Sequence, residues 1–310
     1  MTTSPSRFLL CIVGPTGVGK TALALEVAER FNGEIVSADS RQIYRGLDIG
    51  TGKPTSDQLA RARHHLIDCV DPDQAYTLAE YQAAAYAAIA DIFARGKQPL
   101  LVGGTGLYIR AMTEGLIIPA VPPNAELRAQ LEERAAREGG AQLYTELQQV
   151  DPEAATKIDP RNVRRTIRAL EVYLASGQKF SEAGRAEPPP FAVHRIGLTL
   201  PREELYRRVD RRVDEMIARG WLGEVRALVA RYAEAVPALS SLGYPQMRAV
   251  LRGELTLDEA AQDIKYHTHR FIRHQYAWFR PGDPRLAWFN LLTQDAPAIV
   301  SKLDSAFVTR

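Results

Sequence analysis

Phe8-Leu9-Leu10-Cys11-Ile12-Val13 runs directly into Gly14-Pro15-Thr16-Gly17-Val18-Gly19-Lys20-Thr21, and the reading of this stretch decides the fold. The first part is an apolar run of strand length. The second fits G-x-x-x-x-G-K-[ST] without a mismatch. Leu23, Val27, Ala28 and Phe31 then recur at helical spacing, so the spacing predicts strand, turn and helix in succession. Each part has a physical task. The glycines let backbone N–H groups turn inward onto phosphate oxygens, the helix N-terminus adds partial positive charge, Lys20 supplies a cation, and the Thr21 hydroxyl can hold Mg²⁺. At an average glycine usage of about 7%, a chain of this length meets the pattern by chance roughly 1% of the time. A di- or triphosphate is therefore the expected ligand. The octapeptide does not name the rest of it.

Outward from this unit, Glu34–Ala38 reads as a second strand and His65–Val70 as a further candidate. Thr77–Arg95 reads as an alanine-rich helix ended by Gly96, and Pro99–Val102 as an apolar strand opening into the turn Gly103-Gly104-Thr105-Gly106. Strands alternating with helices predict an α/β fold with a doubly wound parallel sheet of the P-loop NTPase-like kind. Around Pro119, Pro122 and Pro123 the pattern changes. From Asn124 to about Ser176 it is helical, with Leu127, Leu131, Leu143, Leu147, Ile158, Ile167, Leu170 and Val172 as apolar positions. The loop Glu187-Pro188-Pro189-Pro190 closes this stretch, and His194–Leu200 alternates like a strand that rejoins the sheet. Amphipathic helices then cover about Arg202–Ala235 and Leu257–Phe279. The expected organisation is a core domain of residues 1–117 and 193–310 around an inserted all-helical subdomain, 118–192.

The chain has 310 residues, 45% of them hydrophobic and 25% charged, which excludes collagen, disordered tails and membrane bundles. No apolar stretch approaches the ~18 residues of a membrane span, and Met1–Ser6 lacks the apolar run of a signal peptide, so a cytoplasmic location is expected. Cys11 and Cys69 alone make neither a disulfide framework nor a four-cysteine zinc site. The net charge of +2 gives no global sign of a nucleic-acid partner. Its distribution is less even: residues 1–120 and 121–192 each carry −1, 193–280 carry +4, and 281–310 are neutral. Arg202, Arg207, Arg208, Arg211 and Arg212 cluster in the basic segment, and Lys265–Arg280 adds Arg270, Arg273, His267, His269 and His274. Charge alone favours a solvated helix face.

Kinases and NTPases with this loop commonly carry an acidic Mg²⁺ ligand at the end of another apolar strand. Pro99–Gly106 has no carboxylate there. Asp39 does end the second strand, 19 residues after Lys20, which puts it on the sheet edge where the P-loop lies. The alternative is a cap on the following turn.

Its neighbours carry more information. Asp39-Ser40-Arg41-Gln42-Ile43-Tyr44, Asp48-Ile49-Gly50-Thr51-Gly52-Lys53-Pro54, His64-His65-Leu66-Ile67-Asp68 and Gly103-Gly104-Thr105-Gly106-Leu107-Tyr108 together resemble the tRNA dimethylallyltransferase (tRNA isopentenyltransferase) family. Beyond the insertion, the resemblance continues in Arg164-Arg165-Thr166-Ile167-Arg168-Ala169-Leu170-Glu171-Val172. It extends to Arg212-Val213-Asp214-Glu215-Met216 with Gly220 and Glu224-Val225, and to Thr268–Arg280 with Gln275, Trp278, Phe279 and Arg280. These segments cover most of residues 7–280.

The resemblance implies that Gly14, Pro15, Thr16, Gly17, Val18, Gly19, Lys20 and Thr21 grip the pyrophosphate of dimethylallyl diphosphate. The isoprenoid is then transferred to the exocyclic amine of the adenosine just 3′ of the anticodon. That amine is a poor nucleophile because its lone pair is delocalised, so a carboxylate accepting its proton lowers the barrier; Asp39 is the implied base. Charge growing on the leaving diphosphate needs fixed cations and donors, here Lys20, Thr21 with Mg²⁺, the loop amides and Arg212. Thr16 is implied to hydrogen-bond within the reacting site, the alternative being ordinary P-loop geometry. The target base must leave its stack to arrive there. Implied tRNA contacts are Asp39, Ser40, Arg41, Gln42, Thr105, Arg128, Arg164, Arg165, Arg168, Gly243, Tyr244 and Gln246. Arg164 and Arg168 lie one turn apart and share a face, while a solvated face is the alternative for Arg165 and Arg128.

Some positions depart from the family. Pro245 stands where many relatives have a basic residue, Ser240-Ser241 replaces a more polar or basic lead-in, and Ile272-Arg273-His274-Gln275 replaces Ala-Lys-Arg-Gln. No cysteine/histidine zinc finger follows, which points to the bacterial type with Mg²⁺ as its metal. The expected partners are the tRNA anticodon loop and dimethylallyl diphosphate, with no membrane and a monomeric chain. Three rivals remain: an isopentenyltransferase acting on free AMP, ADP or ATP, a P-loop small-molecule kinase, and a non-catalytic P-loop RNA-binding protein.

Overall fold

The apolar run forms strand β1, Phe8–Val13, and the octapeptide beyond it leads into helix α1, Lys20–Arg30. The computed structural model describes residues 7–119, 121–122, 124–183, 186–232 and 236–308. Met1–Ser6, Pro123 and Ala235, read above from sequence, lie outside them. Next come β2 (Gly33–Ala38), α2 (Ser56–Arg61), β3 (His64–His65), α3 (Leu78–Ala94), β4 (Gln98–Gly103) and α4 (Gly106–Thr113). α2 and α3 each open on a capping box, Thr55 with Gln58 and Thr77 with Glu80, which satisfies N–H groups that the helix cannot pair itself. The helices α5 (Ala125–Glu138), α6 (Gly140–Val150), α7 (Pro152–Lys157), α8 (Val163–Ser176) and α9 (Phe180–Ala183) follow. The chain ends with β5 (Ala192–Thr199), α10 (Arg202–Ala218), α11 (Trp221–Arg231), α12 (Tyr244–Leu251), α13 (Leu257–Trp278), β6 (Ala287–Asn290) and α14 (Ala296–Val308).

Two compact units result. One consists of the described residues up to Thr113 with those from Pro190 onward, and the other is Glu114–Pro189. In the first, six parallel strands pair in the order β3-β2-β4-β1-β5-β6. Both faces are covered, so the strands read as continuous apolar runs. Leu10, Ile12, Leu100, Val102, Ile196 and Leu198 meet residues of α1, α10 and α14, while Leu9, Cys11, Val13, Val36 and Leu101 meet residues of α3 and α4. Burial pushes the Cys11 thiol up to about 12 and keeps it protonated. Register positions the chemistry: Val13 lies opposite Gly103 and Gly103 opposite Ala38. The carboxyl ends of β1, β2 and β4 therefore finish level, and the loops after them open on one edge, where open α/β sheets bind ligands.

The second unit has its own apolar core of Leu131, Leu143, Leu147, Ala154, Ile158, Ile167 and Leu170. Within it Glu171 is fully buried, accepting hydrogen bonds from Arg128 (2.8 Å), Arg168 (2.9 Å) and the Asn124 N–H (2.7 Å). Burial alone would raise its pKa, but these donors win and lower it.

Several elements differ from the sequence expectation. The helix expected over 202–235 divides at Arg219–Gly220, where Gly220 takes φ 96°. The strand expected at 65–70 joins the sheet only through His64–His65, because Leu66 and Asp68 adopt positive φ of 62° and 54°, while Cys69 and Val70 donate to the Ile43 carbonyl and Val70 forms an isolated bridge with Tyr44. The turn at Gly103–Gly106 opens helix α4, and β6 and α14 were not foreseen. Among the described residues, no helix is long and apolar enough to cross a membrane.

Candidate active site

The P-loop of this protein bends through three left-handed glycines, Gly14, Gly17 and Gly19, with φ of 149°, 77° and 113°. A Cβ at Gly14 would stand 2.6 Å from the Leu198 carbonyl oxygen, so both backbone freedom and close approach demand glycine. α1 begins without a side-chain cap and without an acidic residue in its first turn, leaving its N–H groups and dipole open to an anion. The Lys20 ammonium donates to the carbonyls of Gly14 (3.0 Å) and Pro15 (2.9 Å). Burial pulls its pKa down to about 8, with Asp39 opposing the shift and Arg212 adding to it.

Asp39 follows directly on β2. Its Oδ1 accepts from the N–H of Arg41 (2.8 Å) and of Gln42 (3.4 Å), so the capping role is real. Among the described residues, Oδ2 accepts no hydrogen bond and is available to a substrate. The turn after β4 reaches the same place, since the Ser40 N–H donates to the Thr105 hydroxyl at 3.0 Å. The Gln42 amide donates to the carbonyls of Thr51 (3.4 Å) and Gly52 (3.2 Å), and Arg212 from α10 donates to Gly52 at 3.4 Å. Burial lowers the pKa of Arg212, and the Asp39 charge opposes that shift.

Two cavities open along this edge, of about 710 and 530 Å³. The larger is lined by Lys20, Thr21, Arg208, Arg211 and Arg212, the chemistry of a polyphosphate site. The smaller is lined by Ser40, Arg41, Thr105, Phe271, His274 and Trp278, a mixture of polar donors and aromatic faces. Thr16, Asp39, Thr51, Arg212 and Met216 belong to both walls and form a shared ridge. A group bound on one side and a group bound on the other would meet at Thr16, Asp39 and Arg212.

The remaining site residues named from sequence are placed otherwise. Tyr244 is fully buried and its hydroxyl donates to Glu224 at 2.7 Å, so in this structure its side chain holds Glu224. Gly243, at φ 91°, packs on the Trp221 ring, and Gln246 donates to Asp263 at 2.8 Å. In the second unit, Arg128 and Arg168 serve Glu171, whereas Arg164 and Arg165 are exposed and have no ion-pair partner among the described residues.

Glu224 and Gln275 carry no local sign of a site role, although both lie in segments that resemble the family. The Glu224 carboxylate accepts from the N–H groups of Asp48 (2.8 Å), Ile49 (2.6 Å) and Gly50 (3.2 Å), pinning the loop that carries Thr51 to the ridge. Lys53, its side chain 6% exposed, ties the same loop to the Tyr44 carbonyl (2.6 Å), Asp48 (2.7 Å) and Asp68. As for a metal, no group of three or more His, Cys, Asp or Glu among the described residues could hold one. Thr21 lines the larger cavity, and a lone hydroxyl fits Mg²⁺, which keeps waters and takes substrate phosphate oxygens as its other ligands.

The family model described as IPP transferase matches residues 42–282. A tRNA dimethylallyltransferase from Roseiflexus sp. strain RS-1 is 52% identical over 303 residues, covering 97% of both chains. One from Thermomicrobium roseum is 54% identical, covering 88% of this chain and 83% of that one. The solved full-length tRNA isopentenylpyrophosphate transferase from Bacillus halodurans is 36% identical with a TM-score of 0.73, covering 98% of this chain and 96% of its own. A eukaryotic dimethylallyltransferase solved acting on tRNA is 26% identical with a TM-score of 0.83, covering 98% of this chain and 80% of its own. The chain belongs to the IPP transferase family.

Proposed function

We propose that this protein transfers a dimethylallyl group from dimethylallyl diphosphate to the exocyclic amine of the adenosine 3′-adjacent to the anticodon in tRNA, releasing diphosphate. The observation that carries this reading is the ridge of Thr16, Asp39 and Arg212 between a polyphosphate cavity and an aromatic, polar one. The names of the relatives favour tRNA over free nucleotides as acceptor.

In this mechanism the P-loop N–H groups, Lys20 and Arg212 hold the diphosphate in the larger cavity. Mg²⁺, held by Thr21 and the substrate's phosphate oxygens, would supply further charge neutralisation. The extruded adenine enters the smaller cavity beside Ser40, Arg41 and Thr105. The amine nitrogen forms a bond to the allylic carbon as the carbon–oxygen bond to diphosphate breaks. The bonding pair leaves on the diphosphate, where Lys20 and Arg212 meet it, and the surplus proton of the amine passes to Asp39 Oδ2. Arg164 and Arg165 are proposed to take phosphates of the anticodon arm, and Gln42, from the larger cavity, to hold the Thr51 backbone at the ridge. One unit of one chain contains both cavities, so we read the working form as a monomer, in the cytoplasm where tRNA is processed.

The test is to incubate the protein with Mg²⁺, labelled dimethylallyl diphosphate and either unmodified tRNA or AMP. Label in tRNA is expected. Label in AMP alone would overturn the acceptor, and phosphoryl transfer from ATP would overturn the reaction class.

A further inference from the structure

Gln275 is 4% exposed on α13, far along the chain from the P-loop, yet its amide joins two of the loops that build the site. Its Oε1 accepts from the Thr16 N–H at 2.9 Å, and its Nε2 donates to the Gly104 carbonyl at 3.1 Å. The pair of bonds fixes the amide's orientation: a flip would set donor against donor and oxygen against oxygen. The fit leaves no slack, since a Cβ at Gly104 would lie 2.3 Å from Nε2. The Thr16 N–H is thereby withdrawn from phosphate and turned toward α13, which leaves the Thr16 side chain as that residue's contribution to the ridge. Gln275 itself lines the smaller cavity, on the same helix as Phe271, His274 and Trp278.

We infer that Gln275 is a positioning residue for the transfer reaction. It holds the Thr16 peptide and the Gly104 turn in one register, so that the leaving diphosphate and the attacking amine are aligned across the ridge. This rests on the proposed function, and it adds that α13, and not the P-loop sequence alone, sets the alignment. Misplacing reacting groups by about 1 Å can cost on the order of 10²-fold in rate without weakening the binding of either group.

The test uses Gln275→Ala and Gln275→Glu in the full-length chain, with kcat and KM for dimethylallyl diphosphate and tRNA, inorganic pyrophosphate affinity with Mg²⁺, and thermal unfolding. Both variants are expected to lower kcat at saturating substrates by roughly 10- to 100-fold. Pyrophosphate affinity and both KM values should stay within about threefold, a split that lost stability alone does not produce. The Gln275→Glu variant adds a second signature. Ionised, its carboxylate opposes the Gly104 carbonyl; protonated, it donates there as the amide does. Its kcat relative to wild type should therefore rise as pH falls, whereas that of Gln275→Ala should stay flat. Transfer by both variants within threefold of wild type would overturn the inference, as would a kcat loss matched by the loss of pyrophosphate affinity, or the absence of the pH signature. If wild type itself modifies no tRNA, the functional reading falls and this inference with it; if wild type is active and the variants are unimpaired, only the inference falls.

Discussion

At the scale of single residues, Asp39 commits Oδ1 to the turn that follows it and leaves Oδ2 without a hydrogen bond among the described residues, as the proposed base requires. Asp39→Asn retains a cap on Arg41 and removes the base, so kcat should fall by about 10²- to 10⁴-fold, the usual worth of a general base. The tRNA dissociation constant should stay within about threefold; a collapse of binding in the same assay would make Asp39 a recognition residue. Lys20, pulled down to about 8 by burial, is charged below that pH and loses its proton above it. Pyrophosphate affinity of the wild type relative to Lys20→Met should thus be constant below pH 8. It should decline above by up to about tenfold per pH unit, as one proton must be taken up on binding. At neutral pH the substitution should weaken binding by roughly 10- to 100-fold, in line with a charged hydrogen bond; a pH-independent ratio measured by calorimetry would exclude Lys20 as the titrating cation. Both residues were legible because their task is local: an octapeptide and a strand end define them. Glu224 and Gln275 carry no local sign of their task, because the backbone partners of Glu224 lie 174 to 176 residues away in the chain and those of Gln275 lie 171 and 259 away.

At the scale of elements, one carboxylate pins the loop after β2 to α11. Glu224→Gln removes the charge and turns an acceptor into a donor facing either backbone N–H groups or the Tyr244 hydroxyl. Amide hydrogen exchange at Asp48, Ile49 and Gly50 should speed up by about tenfold or more, given 1.5–3 kcal/mol for hydrogen bonds to a charged group. Unchanged protection would show that neighbouring packing, not Glu224, holds the loop. Elements with strong internal periodicity, β1, α1, β2, α3 and β4, were readable, because each buries a regular apolar face. The break between α10 and α11 was not, since apolar spacing runs through Gly220 and only its left-handed φ ends the helix. α14 did carry a signal: Asp295 accepts from the Ala298 N–H at 3.0 Å, and Pro297 stands in the first turn, both marks of a helix start.

At the scale of the molecule, a net charge of +2 conceals local concentrations of arginine. Binding of tRNA should weaken by about 20-fold or more between 50 and 200 mM salt if three or more phosphates are neutralised. Dimethylallyl diphosphate, if held by Lys20 and Arg212 in the larger cavity as proposed, should respond far less. Replacing Arg164 and Arg165 together with alanine should reduce the log–log salt slope by about 1 to 2, measured by filter binding. A slope that does not move would assign these arginines to the solvated face. Arg128 and Arg168, bound to Glu171, should instead reveal themselves in the stability of the second unit when replaced.

Sequence alone determined the P-loop, the alternating architecture, the inserted helical stretch and the family, because each is written in short-range spacing or in segments whose residue types are dictated by local chemistry. Only the tertiary structure decided which side chains share the ridge between the two cavities, that Tyr244 is buried with its hydroxyl on Glu224, and that Arg128 and Arg168 are occupied by a buried carboxylate. Those facts depend on contacts between residues remote in the chain, which sheet register and helix packing create and which no local pattern encodes.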